Sequence, residues 1–232
     1  MTPADIHPAT RYLNKNEKDN DGNSKRSQIV SPHLNFGKAF LCSSSFLFLY
    51  TALYSAQNCQ SKLFNDDNYG SLGFYSNAVV YLGQGTGSIF CVYITQKIGD
   101  SKSMAYSSLF AIPFIVSLLL PAYKSLYMDS DSFWLSNGFV YTMIFLTSLL
   151  NGLGEGVSQP ASGTYISDCA IESNKGFYFA FFWAFYMGSQ IFGNLIAAFV
   201  LGNLDQRYYV LIMTGLTFIA CFMFFFLKNP VI

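Results

Sequence analysis

Charge is what this chain has least of. Only 11% of its 232 residues are Asp, Glu, Lys or Arg, less than half of the roughly 25% found in soluble domains. Thirteen basic and thirteen acidic side chains cancel, which excludes the positive footprint of a nucleic-acid binder; no nucleic-acid partner is expected. Histidine is nearly missing. His7 and His33 both precede the first apolar segment, which argues against a metal site or a histidine-based triad inside a membrane. The five cysteines (Cys42, Cys59, Cys91, Cys169, Cys221) are scattered, odd in number and form no Cys-x-x-Cys pair. Neither a disulfide framework nor a zinc site is indicated, and no metal or cofactor is expected. No Asn-x-Ser/Thr sequon occurs, so outer loops need not be glycosylated. The polar N-terminus lacks a basic region leading directly into an apolar core, so it does not read as a cleavable signal peptide.

Catalytic signatures are missing as well. A rhomboid-type protease needs an intramembrane histidine and a Gly-x-Ser-Gly serine, yet Ser162-Gly163 follows Pro160-Ala161. The Pro-x-Asp/Glu-x-x-Lys/Arg repeats of a mitochondrial carrier are absent. So are the paired Asn-Pro-Ala half-helices of a water channel; the one Asn-Pro is Asn229-Pro230. The chain therefore reads as no enzyme.

What the chain does have is apolar surface: 52% hydrophobic and 18% aromatic residues. Residues 1–35 are polar, rich in Asn, Asp, Ser and Lys, and cannot bury enough apolar surface to offset chain entropy; they read as a disordered cytoplasmic tail. From 36 to 232 a six-helix transmembrane bundle is expected, with helices at about 36–58, 72–95, 104–122, 138–166, 177–201 and 208–227. Each holds close to the ~20 apolar residues that cross a ~30 Å hydrocarbon core. Short loops make neighbours antiparallel. With the N-terminus inside, Lys25, Arg26, Lys38, Lys97, Lys102, Lys175 and Lys228 lie inside and Lys62, Lys124 and Arg207 outside. That imbalance predicts both termini cytoplasmic. The third and sixth segments are nearly all apolar and are expected to tolerate lipid on most sides. The other four carry Gly, Asn, Gln, Tyr and Glu and are expected to face one another or a cavity.

The informative stretch runs from Asn151 to Leu195, two apolar segments joined by the polar loop Ser167–Gly176. Gly152 and Gly156 repeat at helical spacing, as do Gly83 and Gly87, and Ser189, Gly193 and Ala197. Small residues at that spacing let membrane helices approach closely, so Gly83, Gly87, Gly152, Gly156, Ser189 and Gly193 are expected at contacts among the second, fourth and fifth helices. Gly83-Gln84-Gly85-Thr86-Gly87 resembles a phosphate-loop fragment, but no strand precedes it and no Lys-Ser/Thr follows, so packing is the better account. Gln84 then stands to hydrogen-bond across the contact.

Glu155 is the only carboxylate inside a long apolar run. An ionisable group there is costly and marks a functional-site candidate. Two readings stand: coupling of a proton or cation, or a structural role against hydroxyls and amides of the first or second helix. On the fifth helix Tyr186, Gln190 and Asn194 recur every four residues with Trp183 a turn earlier. They form either an interhelical hydrogen-bonding seam or one polar wall of a cavity. Gln57 and Asn58 end the first helix and join this candidate polar cavity or partner face.

A family resemblance rests on the same stretch. Gly163-Thr164-Tyr165, the polar loop, Asn174-Lys175-Gly176, an aromatic pair, Phe182-Trp183, Ser189-Gln190 and Gly193-Asn194 look like the helix 4–loop–helix 5 region of the uncoordinated-ninety-three family. Thr51, Ala56-Gln57-Asn58 and Gln60-Ser61 add to it, as does the turn Lys97-Ile98-Gly99, which keeps fragments of a Gly-x-x-x-Asp-Arg-x-Gly-Arg-Lys gate motif. That family, described as ion-channel regulatory proteins, is a twelve-helix branch of the major facilitator superfamily. The resemblance covers roughly residues 37–227 and implies an all-α fold like its N-terminal six-helix half. It implies a regulatory or trafficking role with an ion channel or other membrane protein as partner. The competing reading is a transporter half completed by a second six-helix half. The membrane is expected to be the plasma membrane or an endomembrane.

Overall fold

The computed structural model describes residues 35–126 and 136–230. Residues 1–34, where a disordered tail is expected, and residues 127–135 and 231–232 lie outside the described residues. No strand occurs among those described. The described residues form eight α-helices: α1 (Phe36–Asp66), α2 (Leu72–Ile98), α3 (Asp100–Ser108), α4 (Ala111–Ser117), α5 (Leu119–Leu126), α6 (Asn137–Cys169), α7 (Lys175–Asn203) and α8 (Gln206–Phe225). The short helices α3, α4 and α5 run on as one broken rod, so the architecture is six rods.

The breaks in the third rod have a covalent cause. Pro113 and Pro121 lack the N–H that would bond a carbonyl one turn earlier. The helix lapses at Leu109–Phe110 and again at Leu118, just ahead of each proline, where the expected single helix 104–122 is interrupted. Between α2 and α3 the chain turns on one residue, Gly99, at φ +86°, a conformation glycine adopts without a Cβ clash.

α1 outruns its expected end at Asn58 by eight residues. Its last turns are polar but not exposed: Gln60, Leu63 and Phe64 are buried. The Tyr69 N–H then closes on the Phe64 carbonyl at 2.7 Å, and Asn68 takes φ +65°, the left-handed turn that asparagine tolerates best after glycine.

Pro160 does not stop α6, which continues to Cys169. A proline deprives the carbonyl four residues earlier of its donor, here Gly156. The Ser88 hydroxyl of α2, which donates to the Gln84 carbonyl at 2.9 Å, also reaches that carbonyl at 3.2 Å, which partly offsets the lost donor in lipid.

Among the described residues, five rods are long and apolar enough to cross a membrane: α1, α2, the α3–α5 rod, α7 and α8. α6 is the longest helix, but Asn151, Glu155, Ser158, Gln159 and Ser162 dilute its apolar character. Most of those side chains are buried, so α6 is a protein-lined rod rather than a lipid-facing one.

The packing corrects one expectation. The third and sixth rods are not the most open. Of their apolar windows 56% and 39% are buried, against 22% for α2 and 28% for α7. α8 lies against α1, α3 and α4, and its Tyr209, Val210, Met213 and Ala220 are fully buried. α2 and α7 instead pack along one edge each, α2 chiefly on α6 and α7 chiefly on α1. Their outer faces, from Phe74 to Tyr93 and from Phe177 to Phe199, stay exposed.

Glycines set both contacts. A Cβ at Gly83 would lie 2.7 Å from the Leu149 carbonyl oxygen of α6. At Gly87 it would strike the Leu153 carbonyl, at Gly152 that of Val80, and at Gly156 that of Gln84. Backbones this close admit no side chain. A Cβ at Gly193 would come 2.5 Å from the Thr51 carbonyl oxygen of α1, and Ser189 is fully buried one turn before it. The small stripe of α7 therefore meets the first helix, not the second.

Candidate functional site

Four helices bring their polar residues to one place. α1 supplies Tyr50, Tyr54, Gln57, Asn58 and Gln60; α2 supplies Asn77 and Gln84; α6 supplies Asn151, Glu155 and Gln159; α7 supplies Tyr186 and Asn194. Tyr50, Tyr54 and Gln57 on α1 and Asn151, Glu155 and Gln159 on α6 step by three or four residues, and Asn77–Gln84 and Tyr186–Asn194 are two such steps apart, so each set lies on one face.

Glu155 is buried at 5% exposure. One carboxyl oxygen, Oε1, accepts from Gln57 Nε2 at 2.8 Å and from Asn151 Nδ2 at 2.7 Å. A carboxylate placed in an apolar medium must be paired or hydrogen-bonded, and two amides serve that need. Asn77 holds Gln57 in turn, donating Nδ2 to its carbonyl at 3.0 Å. Gln60, wholly buried, bonds Asn77 and donates to the Gly73 carbonyl at 3.2 Å. This lower seam locks α1 against α2. A second α2–α6 link joins the hydroxyls of Ser76 and Ser148 at 2.8 Å.

The upper seam turns on Gln159. Its Nε2 donates to the hydroxyls of Tyr50 at 3.2 Å and Tyr186 at 3.0 Å. Its Oε1 accepts from Gln84 Nε2 at 3.0 Å. One amide thus ties α6 to α1, α7 and α2 at once. The Tyr54 and Tyr186 hydroxyls are hydrogen-bonded to each other, and Asn58 Nδ2 donates to Asn194 Oδ1 at 3.2 Å. Aromatic rings wall this seam: Tyr50 and Tyr186 lie 4.8 Å apart, centroid to centroid, and Trp183 meets Tyr186 edge-on at 5.2 Å.

Of the residues singled out from sequence, Gln57 and Glu155 meet in the lower seam, Gln84 and Tyr186 share Gln159, and Asn58 meets Asn194. Gln190 stands half-buried between Tyr186 and Asn194, outside these seams. Trp183 is half exposed. Gln159, Tyr50, Tyr54, Asn77 and Gln60 were not singled out. The signal was present for Gln159, four residues beyond Glu155 on the same face, and for Tyr50, Tyr54 and Asn58, spaced by four. No group of His, Cys, Asp and Glu suited to a metal ion occurs among the described residues.

An all-helical, membrane-embedded bundle whose first, second, fourth and fifth rods turn their polar faces to one another defines a class: an integral membrane protein with the build of one half of a secondary transporter. A family model described as Major Facilitator Superfamily matches residues 33–231. The chain belongs to that superfamily, whose members are generally transporters rather than enzymes. No curated protein matches the chain.

Proposed function

We propose that this chain is a non-catalytic membrane protein of regulatory or trafficking type, similar to the uncoordinated-ninety-three branch of its superfamily. It would act through contact with another membrane protein, such as an ion channel. The observation that supports this reading is closure of the polar centre. The one buried carboxylate among the described residues is engaged by two amides of the chain itself, and the tyrosines and Gln159 are bonded to one another. Groups spent on internal bonds tie helices together, whereas a coupling acid must be free to release a proton or ion to a pathway.

In this reading Trp183, Gln190 and Asn194 form the partner-facing side of α7. The experiment compares two arms. Purified chain in vesicles should show no flux driven by a proton or sodium gradient. Removing the chain from cells should change the partner channel's surface level, and Gln190→Leu with Asn194→Leu should reproduce that change. Robust flux lost in Glu155→Gln would sink the proposal.

The second reading, one half of a transporter, is favoured by the same open side. Trp183, Gln190 and Asn194 are uncharged and reach the surface, as one wall of a solute pathway between two halves would. Flux by the chain together with a second six-helix half decides for it. Both readings carry the same orientation, both termini cytoplasmic, which follows from the lysine distribution. Tags at either end should resist membrane-impermeant reagents in intact cells; labelling of either would reverse the assignment.

A further inference from the structure

α8 runs along α3 in the opposite sense. Cys221 Sγ donates to the Ser108 carbonyl at 3.3 Å, and the Phe225 ring meets that of Tyr106 edge-on at 6.4 Å. The helix ends at Phe225. A tight turn follows, with the Phe226 N–H on the Met223 carbonyl and the Leu227 N–H on the Phe224 carbonyl, each at 3.1 Å. Beyond it the chain runs non-helical to Pro230. A proline disfavours helical backbone at the residue before it, here Asn229, so the sequence itself keeps this segment from resuming a helix.

Carbonyls left over at a helix end usually go to a cap or to water. Just past this one, two successive carbonyls are taken by hydroxyls of two other helices. Ser101, the second residue of α3, donates Oγ to the Leu227 carbonyl. Tyr165, one turn before the end of α6, donates Oη to the Lys228 carbonyl at 2.7 Å. Ser101, Tyr165 and the Leu227 side chain are all buried, while Phe226, Lys228 and Asn229 are exposed. Residues 226–230 therefore lie across α3 and α6, beside the Gly99 turn where α2 passes into α3. One apolar side chain and two hydrogen bonds fasten them. A segment held so lightly opens locally, at a small fraction of what unfolding the bundle would cost.

We propose that residues 226–230 form a releasable strap. Docked, it clamps the start of α3 and the Gly99 turn against α6. Undocked, it frees both hydroxyls and loosens that end of the bundle, so whatever grips the C-terminal segment acts on the α2–α3 turn. The strap stands apart from the polar seams and does not depend on the function assigned to them. The test places a thiol beneath it. Ser101→Cys in the full chain, in detergent, is alkylated with a maleimide, and the labelled peptide is quantified by mass spectrometry. That thiol should react far more slowly than the one of Lys102→Cys, at the exposed neighbouring position. Adding Tyr165→Phe, which removes the hydroxyl that holds Lys228, should quicken labelling about three-fold, the gain in open fraction from one lost interhelical bond. Leu227→Ala, which thins the apolar anchor, should quicken it further. Amide exchange over residues 99–104 should quicken in the same variants. Native Cys42, fully buried on α1, should stay unlabelled throughout. Labelling of Ser101→Cys as fast as Lys102→Cys would overturn the proposal, as would a rate unchanged by both added substitutions. Unchanged exchange over 99–104 would overturn the clamp. Labelling of Cys42 in step with the strap would overturn it too, since the bundle would then be opening as a whole.

Discussion

Gln57 and Glu155 stand 98 positions apart in the chain and share a hydrogen bond of 2.8 Å. With Asn151 on the same oxygen, the pair fixes α1 on α6 at the only buried carboxylate among the described residues. Glu155→Gln keeps an oxygen for both donors and should leave stability almost unchanged. Glu155→Leu strands the two amides and should cost about 1–3 kcal/mol, the penalty of buried unmet donors. Unfolding in mixed micelles distinguishes them; equal stability of the two variants would contradict the seam.

The glycine contacts give a sharper contrast. Gly193→Leu and Gly152→Leu drive a side chain into the Thr51 and Val80 carbonyls and should collapse the folded yield. Gly215→Leu on α8, where a Cβ meets nothing within 4 Å, should be tolerated. Monodispersity on size exclusion after detergent extraction provides the measurement. A yield from Gly193→Leu equal to that from Gly215→Leu would refute the contact.

The Ser88 hydroxyl bonds the Gln84 carbonyl of its own helix at 2.9 Å and also reaches the Gly156 carbonyl, which Pro160 leaves open, at 3.2 Å. Ser88→Ala should cost about 0.6 kcal/mol, the usual worth of an interhelical bond. The cost should vanish when Pro160→Ala is already present, since the restored N–H then serves the carbonyl. A double-mutant cycle reads this coupling directly; additive effects would mean that the serine acts otherwise.

Tyr69, in the turn between α1 and α2, gives a pH signature. Burial pushes its phenol up to about 12, with Tyr141 and Asp67 adding to the effect. The folded state holds the proton that an unfolded tyrosine releases near pH 10. Stability is therefore full below pH 10 and falls as pH rises from about 10 through 12. Tyr69→Phe should flatten that fall in unfolding curves, and an unchanged slope would show that the phenol does not titrate there.

How far the fold could be read from sequence depended on which force set each feature. Long apolar runs announce membrane helices, so the rods were legible, and the small-residue spacing marked where backbones touch. The end of α1 was not legible, because Cys59-Gln60-Ser61-Lys62 looks like a loop until α2 is present to bury Gln60. Nor was the partner of the α7 stripe, since spacing names a face but not what covers it. The polar centre was half legible. Glu155 stands out by its charge, but Gln159 is an ordinary amide beside a proline, and its role follows from three helices that arrive from elsewhere in the chain.

α1 packs against α2, α4, α6, α7 and α8, yet it is made before all of them. Its buried Gln57 finds Glu155 only after 98 further residues, and its Ser55 waits longer for the Gly193 carbonyl of α7. At the ribosome's pace that first interval is roughly 5–20 s. Through it Gln60 already has Gly73 and Asn77 of α2 as partners, but Gln57 sits in the bilayer without the Glu155 carboxylate, so α1 is held at one end before the other.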